Sequence, residues 1–208
     1  SGEQRQGGAA AYGAKTTTTR NELNIASNRD YFAQANWHLI SNWTFTTGVR
    51  QSSVQLSSRD DYLTDSVDGS GSVTYKATTP VLGATWHATE TLNVYVNQGK
   101  GFETPTLSES AYSTKSGSAV GSFNPNLLAS RSQHLELGSK WLPSKFTRID
   151  AAWFRIKTDN EIVVDSTTNG KSAYTNAPQT LREGIELATN HQFSDHWRGQ
   201  ASATTMRA

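Results

Sequence analysis

The sequence predicts an all-β fold, an antiparallel transmembrane β-barrel segment of about eight strands. Three observations predict it: a low apolar content, period-two alternation of apolar and polar residues, and connections that alternate between short and long. Only 35% of the 208 residues are apolar and only 18% are charged, whereas an average globular chain has about 45–50% apolar residues. Ser, Thr, Asn, Gln and Gly make up the difference. A sheet with one face in contact with water explains this composition.

The composition excludes several classes of protein. Six Trp, seven Tyr and seven Phe with few charges argue against a disordered chain. The 19 basic and 18 acidic residues leave a net charge of +1, so no basic field indicates nucleic acid as a partner. Cysteine is absent, which excludes disulfides, cysteine-ligated metals and thiol chemistry. No apolar run approaches the roughly 18 residues of a membrane-spanning helix.

Period-two alternation places apolar side chains on one face of each predicted strand and polar side chains on the other. The clearest case is residues 92–98, where Leu92, Val94 and Val96 alternate with polar neighbours. The predicted strands are residues 29–40, 43–49, 73–87, 92–98, 134–141, 148–156, 184–193 and 197–205.

The connections between these strands predict the position of a membrane. Short connections lie near residues 41–42, 88–91, 143–145 and 194–196, and long polar ones near 57–72, 100–130 and 157–180. Several strands exceed the five or six residues typical of a soluble sheet, and a strand that crosses a bilayer needs roughly nine to eleven. Barrels in membranes have short turns on one side and long loops on the other, with aromatic residues at the interfaces. The aromatic residues near the short turns are Trp37, Trp43, Trp86, Trp141, Phe146, Phe193 and Trp197.

Two other folds share part of this pattern. A soluble carbohydrate-binding β-sandwich also has alternating strands and abundant Ser, Thr and Gly. A complete small eight-stranded, porin-like barrel would have the same alternation of turns and loops. The placement of the aromatic residues favours a membrane barrel over the sandwich.

Several motifs occur in a fixed order along the chain. Residues 93–109 read NVYVNQGKGFETPTLSE, and residues 124–127 (NPNL) are followed by residues 136–138 (ELG). Two more fragments are YTN at residues 174–176 and REGIEL at residues 182–187, and WTFTTGVR stands at residues 43–50. Together they resemble the strand and loop motifs of TonB-dependent outer-membrane receptors. The motif residues to which the resemblance gives a structural role are Gly101, Phe102, Pro105, Glu109, Asn124, Gly184 and Glu186.

The resemblance implies a 22-stranded barrel with an N-terminal plug domain, of which residues 1–208 would supply about eight strands from the C-terminal half. We expect the plug domain, the signal peptide and the final strands to lie outside this chain. It further implies a receptor in the outer membrane of a Gram-negative cell, surrounded by outer-membrane lipid. Such a receptor binds a scarce solute and imports it with energy from the TonB complex, which acts through the plug region.

The resemblance implies a ferric siderophore as the solute, with pyrroloquinoline quinone as the alternative. The alternative comes from residues 59–62, 73–83 and 161–165, which look like the subgroup that contains the receptor for that quinone. The long loops carry aromatic and cationic side chains, which suit an anionic, planar chelate or quinone. The candidate ligand contacts are Tyr62, Tyr112, Lys115, Phe123 and Arg131.

The sequence offers no pattern for catalysis, a resident metal or a resident cofactor. The five histidines form no His-x-His pair, and neither a Gly-x-Ser-x-Gly motif nor a Ser/His/Asp arrangement is present. No Lys-Ser/Thr pair follows the glycines at 99 and 101, which argues against a phosphate-binding loop. We interpret them as glycines that allow a strand to bend. We expect Glu136, Lys140 and Glu186 to interact across strands on the polar face.

Overall fold

A computed structural model describes residues 2–11, 14–64 and 66–208. These residues form eleven strands and one short 3₁₀ turn, Glu109–Ala111. The strands are β1 (Gly2–Ala11), β2 (Ala14–Ile40), β3 (Trp43–Asp60), β4 (Gly71–His87), β5 (Leu92–Glu103), β6 (Ser113–Lys115), β7 (Ser118–Val120), β8 (Ser130–Ser144), β9 (Thr147–Thr168), β10 (Lys171–Gln192) and β11 (Arg198–Arg207). No helix among the described residues is long and apolar enough to span a membrane.

Nine of the strands form one antiparallel sheet in the order β1-β2-β3-β4-β5-β8-β9-β10-β11, and β6 and β7 form a separate hairpin. The prediction of an all-β antiparallel fold is confirmed. The sheet has nine strands rather than about eight, because Gly2–Ala11 pairs with the first half of β2. These two segments have no apolar alternation, so the sequence pattern missed them. Within the described residues β1 and β11 are each paired on one side only.

The predicted long connection at residues 157–180 is wrong. β9 and β10 have 22 residues each and are joined by Asn169 and Gly170, whose φ angles are +51° and +74°. Two consecutive residues with positive φ are typical of the tight turn that joins two hairpin strands. Both strands therefore continue through the predicted loop, where backbone pairing persists after the apolar alternation has ended. The other two predicted loops are present, as residues 61–70 and 104–129.

The strand register places apolar side chains of neighbouring strands on one face, which we call the apolar face. One row of directly paired residues crosses six strands: Phe45, Ala84, Val96, Leu137, Trp153 and Ile185. Leu137 is 51% exposed and Ile185 is 55% exposed. No second layer of the described residues covers this row. The two-sheet packing of a β-sandwich is therefore absent from the described part of the chain.

The aromatic residues near the short turns lie at one end of the apolar face, as the sequence predicts. The Trp43 ring stacks on Phe45 and on Trp86, with centroids 5.9 and 6.3 Å apart. The others are exposed: Trp37, Trp141, Phe146, Phe193 and Trp197. Exposed aromatic rings at one level are characteristic of a membrane interface.

The opposite face, which we call the polar face, carries the alternate residues. Tyr95 lies across Gly138 of the neighbouring strand, where an added Cβ would approach the ring to 2.5 Å. The Tyr95 hydroxyl donates a hydrogen bond to Glu136 at 2.5 Å, and the Lys140 ammonium lies 5.6 Å from the ring centroid. Tyr95 thus links Glu136 and Lys140, which the sequence predicts to interact across strands. Glu186 lies on the same face, two residues from Gly184.

We predict that Gly138→Ala destabilises the sheet, because its methyl group would collide with the Tyr95 ring. Overpacking of this kind costs about 1–3 kcal/mol, which a urea titration of the folded protein in detergent would measure. Gly99→Ala is the matched control, since its nearest neighbour would lie at 3.6 Å, an ordinary contact. Equal effects of the two substitutions would contradict the packing argument.

Candidate ligand-binding site at the loop end

The loop of residues 104–129 folds onto the polar face at the end of the sheet that carries the long loops. Its Phe123 is 6% exposed and packs in a cluster with Leu56, Tyr75 and Ala129. The Tyr75 hydroxyl donates to the Leu127 carbonyl at 2.8 Å. This cluster is the hydrophobic core of the described residues, so the loop is a packed part of the fold.

β4 and β5 separate at the loop end of the sheet, which leaves a gap between them. These strands pair only as far as Val81 and Gly99, although β4 continues to pair with β3 up to Gly71. Arg131 bridges the gap: its Nη2 donates to the Lys76 carbonyl at 2.9 Å. Its guanidinium also lies 5.7 Å from the centroid of the Phe102 ring. Arg131 thus supplies the hydrogen bond that the β5 backbone no longer makes.

The start of the loop is fixed by motif residues. Pro105 is fully buried. The Thr106 amide donates to Glu109 Oε2 at 2.8 Å, and the Glu109 amide donates to Thr106 Oγ1 at 3.1 Å. This reciprocal pair has the pattern of a capping box, and it joins Thr106 to Glu109, the first residue of the short 3₁₀ turn. Pro105 and Glu109 therefore shape the start of the loop.

The other motif residues also shape the backbone. Asn124 accepts a hydrogen bond from the Asn126 amide at 3.1 Å. A side chain at Gly101 would collide with Ser132, and one at Gly184 would lie 2.6 Å from the Phe154 ring. Both glycines therefore allow a neighbouring side chain to approach the strand closely.

Tyr112 connects distant strands. The Arg20 guanidinium of β2 donates to the Tyr112 hydroxyl and lies 4.8 Å from the ring centroid. The Lys171 ammonium of β10 lies 5.9 Å from the same centroid. β2 and β10 are six positions apart in the sheet order, or about 29 Å along a flat sheet. The loop-end parts of the sheet therefore curve toward the polar face, as the wall of a barrel does.

Arg20 is itself held in place. Its Nε lies 2.6 Å from Glu22 Oε1, and the two side chains are only 15% and 10% exposed. Asn24 Nδ2 donates to the other Glu22 oxygen at 3.4 Å. A buried charge that lacks a partner is strongly destabilising, so this ion pair fixes the cation that holds Tyr112.

Asn176 of β10 joins the end of the loop to the sheet. Its Oδ1 accepts from the Leu128 amide at 2.8 Å, and its Nδ2 donates to the Leu128 carbonyl at 2.9 Å. The same Nδ2 donates to the Asn160 carbonyl at 2.8 Å, which also accepts from Ser130 Oγ at 3.0 Å. The sequence marks Asn176 as part of the YTN fragment but gives no sign of these partners.

Asp60 organises the second loop, residues 61–70. Its carboxylate accepts from the Tyr62 amide at 2.9 Å and from the Gly69 amide at 3.1 Å. The Phe123 amide donates to the Gly69 carbonyl at 3.0 Å. The two long loops are therefore connected, and Asp60 fixes the position of Tyr62. Asp60 and Arg20 are absent from the candidates that the sequence provides.

The structure gives the five candidate ligand contacts different surroundings. Lys115 is exposed at the tip of the β6–β7 hairpin, and Tyr62 is half-exposed on the other loop. Tyr112 and Arg131 are engaged in the contacts described above, and Phe123 is buried. The five residues thus belong to one connected loop assembly but do not line one common pocket.

A polar cavity of about 340 Å³ lies on the polar face beneath the start of the loop. Asp30, Arg50, Lys100 and Thr104 are among its lining residues, and Arg50 Nη2 lies 2.8 Å from Asp30 Oδ2. Among the described residues, no three His, Cys, Asp or Glu side chains come together to hold a metal ion. The cavity thus offers one ion pair, and no metal-binding cluster is found among the described residues.

The outer part of the β9–β10 hairpin has an ion pair of its own. Arg182 donates from both terminal nitrogens to Glu161, whose carboxylate also accepts from Thr180. These hydrogen bonds, with that of Arg182 as the largest cause, hold the pKa of Glu161 below its ordinary value of 4.5. Glu161 therefore stays charged beside the loop assembly at neutral pH.

The model of one protein family matches residues 3–208, and its description is "TonB dependent receptor-like, beta-barrel". The chain belongs to this TonB-dependent receptor family. Members of the family are outer-membrane transport receptors rather than enzymes, which confirms the expected class. The small porin-like barrel and the carbohydrate-binding sandwich are thereby excluded as families.

Solved structures of two import receptors and a copper transporter share the fold. The ferric yersiniabactin uptake receptor FyuA from Yersinia pestis has a TM-score of 0.67 and 19% identity, over 92% of this chain and 28% of that chain. The ferric-catecholate import receptor Fiu from K12 E. coli has a TM-score of 0.65 and 18% identity, over 96% and 31%. The copper transporter OprC has a TM-score of 0.66 and 13% identity, over 97% and 32%. The chain therefore spans about a third or less of the length of these proteins.

We predict that Asn176→Ala loosens the loop of residues 104–129, because it removes two hydrogen bonds to Leu128 of that loop and one to the Asn160 carbonyl of β9. Each hydrogen bond contributes about 0.5–1.5 kcal/mol, so amide hydrogen exchange in the loop should accelerate about tenfold or more. Gln179→Ala is the control. Gln179 lies on β10, as Asn176 does, and makes one exposed hydrogen bond to Asp159 of β9. Unchanged exchange in the Asn176 variant would show that the loop is held elsewhere.

Proposed function

We propose that this chain forms part of the wall of an outer-membrane receptor that binds and imports a scarce solute. The observation that carries the proposal is the row of apolar side chains across six strands, four of them exposed, backed by a polar opposite face. Exposed apolar patches of this extent are unusual in soluble monomers and are typical of a barrel in lipid. Because lipid provides no hydrogen-bond partners, a sheet there has to close on itself.

The closed form that we propose is a 22-stranded barrel, of which this chain supplies nine strands from the C-terminal half. β1 and β11 are edge strands in the described residues, which agrees with continuation of the sheet on both sides. The chain would work together with an N-terminal plug domain inside the barrel. The TonB complex would act on that plug, and the receptor would reside in the outer membrane of a Gram-negative cell.

The solute that we propose is a ferric siderophore. FyuA and Fiu are receptors for ferric yersiniabactin and for ferric catecholates, and their fold is the fold of this chain. A second candidate is pyrroloquinoline quinone, which is favoured by the subgroup-like residues 59–62, 73–83 and 161–165. An anionic, planar chelate or quinone suits a loop assembly that presents aromatic rings and fixed cations.

We assign the candidate residues two roles in this function. Lys115 and Tyr62 are accessible and would contact the solute directly. Tyr112, Phe123 and Arg131 would hold the loops in the shape that binds it, since their side chains already contact β2, the hydrophobic cluster and β4. The solute would be bound and released without covalent chemistry.

We predict that Tyr62→Ala/Lys115→Ala in the full-length receptor weakens solute binding at least tenfold, because a hydrogen bond to a charged group is worth about 1.5–3 kcal/mol. The measurement is uptake and binding of radiolabelled iron chelates by cells whose only receptor is this one. Ser116→Ala on the same hairpin tip is the control. Growth on added quinone, tested in parallel, separates the two solutes. Import of neither solute would contradict the proposed function.

A further inference from the structure

The backbone of β4 turns unpaired hydrogen-bonding groups toward the gap between β4 and β5. The last directly paired residues of these strands are Val81 and Gly99. Consecutive residues of an antiparallel strand direct their N–H and C=O groups to opposite neighbours. The Lys76 carbonyl accepts from Arg131 of β8, which lies beyond β5 in the sheet order. Lys76 and the other even-numbered residues of β4 therefore point toward β5.

Pro80 occupies the position where the ladder between the two strands would continue. Leu82 pairs directly with Gln98, and the same register would next pair Pro80 with Lys100. The Pro80 carbonyl does lie on this side of β4, 3.8 Å from the place of a Cβ on Gly99. Because proline has no N–H, it cannot donate to Lys100, and the ladder ends there. Proline is characteristic of strand edges for this reason.

Beyond Pro80 the two strands still match in register. Continued without a shift, the register would pair Thr78 with Phe102 and Lys76 with Thr104. β4 remains paired with β3 up to its first residue, and β5 remains paired with β8 up to its last. Each side of the gap is therefore a regular strand whose next ladder partner is the strand opposite.

Two side chains keep these strands apart. Arg131 bonds the Lys76 carbonyl, which is the acceptor that the Thr104 amide would use in a continued ladder. Phe102 packs against the hydrophobic cluster around Phe123. Closure of the gap would add ladder hydrogen bonds and remove the packing of this one ring, two contributions of similar size. The gap therefore has two arrangements of comparable free energy.

The polar cavity extends across the gap. Thr79 lines it from β4, and Lys100, Phe102 and Thr104 line it from the side of β5. Pairing of the two strands at the usual spacing of about 4.8 Å would remove the space between them. The width of the gap thus controls access to this cavity.

We propose that the gap between β4 and β5 is a gate and that Arg131 holds it open. In the open arrangement, which the structure has, Arg131 bonds the Lys76 carbonyl and the cavity extends between the strands. In the closed arrangement, residues 100–104 pair with β4 and seal the cavity. An anion that binds the exposed Arg131 guanidinium favours closure, because a charged acceptor bonds it more strongly than a neutral carbonyl does. The gate goes beyond the proposed function, since it does not depend on which solute is imported.

The first test places two cysteines across the gap of the full-length receptor, since residues 1–208 contain none. Ala77 and Glu103 would lie directly opposite each other in the closed arrangement, within reach of a disulfide. Ala77→Cys/Glu103→Cys should therefore form a disulfide under a mild oxidant only as fast as the gate closes. Adding Arg131→Gln should accelerate the reaction about tenfold or more, because one hydrogen bond from a charged group is lost.

Two controls accompany this measurement. Arg29→Gln removes an exposed arginine from β2 and should leave the rate of disulfide formation unchanged. Gly83→Cys/Asn97→Cys lies where β4 and β5 are already paired, so its rate should be the same with and without Arg131. Equal rates across the gap with and without Arg131 would overturn the inference.

Amide hydrogen exchange separates closure of the gate from loosening of the loop. The amides of Lys100 and Phe102 would bond to β4 in the closed arrangement, so Arg131→Gln should slow their exchange about tenfold. Pro80→Ala restores the missing donor and should slow the same two amides with Arg131 in place. Faster exchange in either variant would show that the loop loosens rather than closes, and would contradict the gate.

The gate and the proposed function fail separately. A receptor that imports neither solute, yet closes the gap when Arg131 is removed, would contradict the proposed function alone. A receptor that imports its solute but shows neither the disulfide effect nor the exchange effect would contradict the gate alone.

Discussion

Backbone hydrogen bonding in a single layer is the constraint on which the rest of this structure depends. A chain in hydrocarbon has no water to satisfy its amides and carbonyls, so each strand has to find partners on both sides. Seven of the nine strands of the sheet have partners on both sides, in simple antiparallel order, and β1 and β11 are paired on one side within the described residues. Because their side-chain alternation stays in phase from strand to strand, pairing produces one continuous apolar face and one polar face. A slip of one residue in any strand would move its whole apolar set to the wrong face.

At the loop end, β4 and β5 are not paired along their whole length. Beyond Gly99 their backbones are no longer paired, and side chains make hydrogen bonds of the kind that a neighbouring strand would make. Arg131 donates to a β4 carbonyl, and Asn176 bonds the loop backbone much as a neighbouring strand would. A single buried cluster around Phe123 then stabilises the loop against the polar face. The two long loops are thus built on a packed support, and a preorganised loop loses less entropy on binding than a flexible one.

Charge follows the same division into faces. The carboxylates of the polar face contact tyrosine, arginine and threonine side chains, as Glu136 does with Tyr95 and Glu161 does with Arg182. The row from Phe45 to Ile185 on the opposite face is apolar. One alternation of side chains therefore gives the sheet one polar face and one apolar face.

The sequence predicts those parts of the fold that bury or expose apolar surface. Residues 92–98 alternate cleanly, and the structure has a strand there with its apolar side chains on one face. Gly2–Ala11 and the outer halves of β9 and β10 were missed because they lack a regular alternation of apolar and polar residues. Their strand conformation comes from pairing with a neighbour, which leaves no periodic signal in the sequence.

The sequence predicts which loops carry the candidate site but not which residues hold those loops together. Aromatic and cationic residues in the long loops were visible in the sequence, and the loops do form one assembly. The partners that hold it together lie far away in the chain: Arg20 is 92 residues from Tyr112, and Asn176 is 48 residues from Leu128. Such pairs depend on curvature of the sheet, and the sequence of one loop does not contain that information.

The central claim is that alternate residues of one strand face lipid and water. Because the protein has no native cysteine, single cysteines can be placed at each position from Leu92 to Gln98 of the full-length receptor and labelled with nitroxides. Accessibility to membrane-dissolved oxygen should be high at Leu92, Val94 and Val96. Accessibility to a water-soluble nickel reagent should be high at the residues between them. A flat profile, or the opposite phase, would contradict the account.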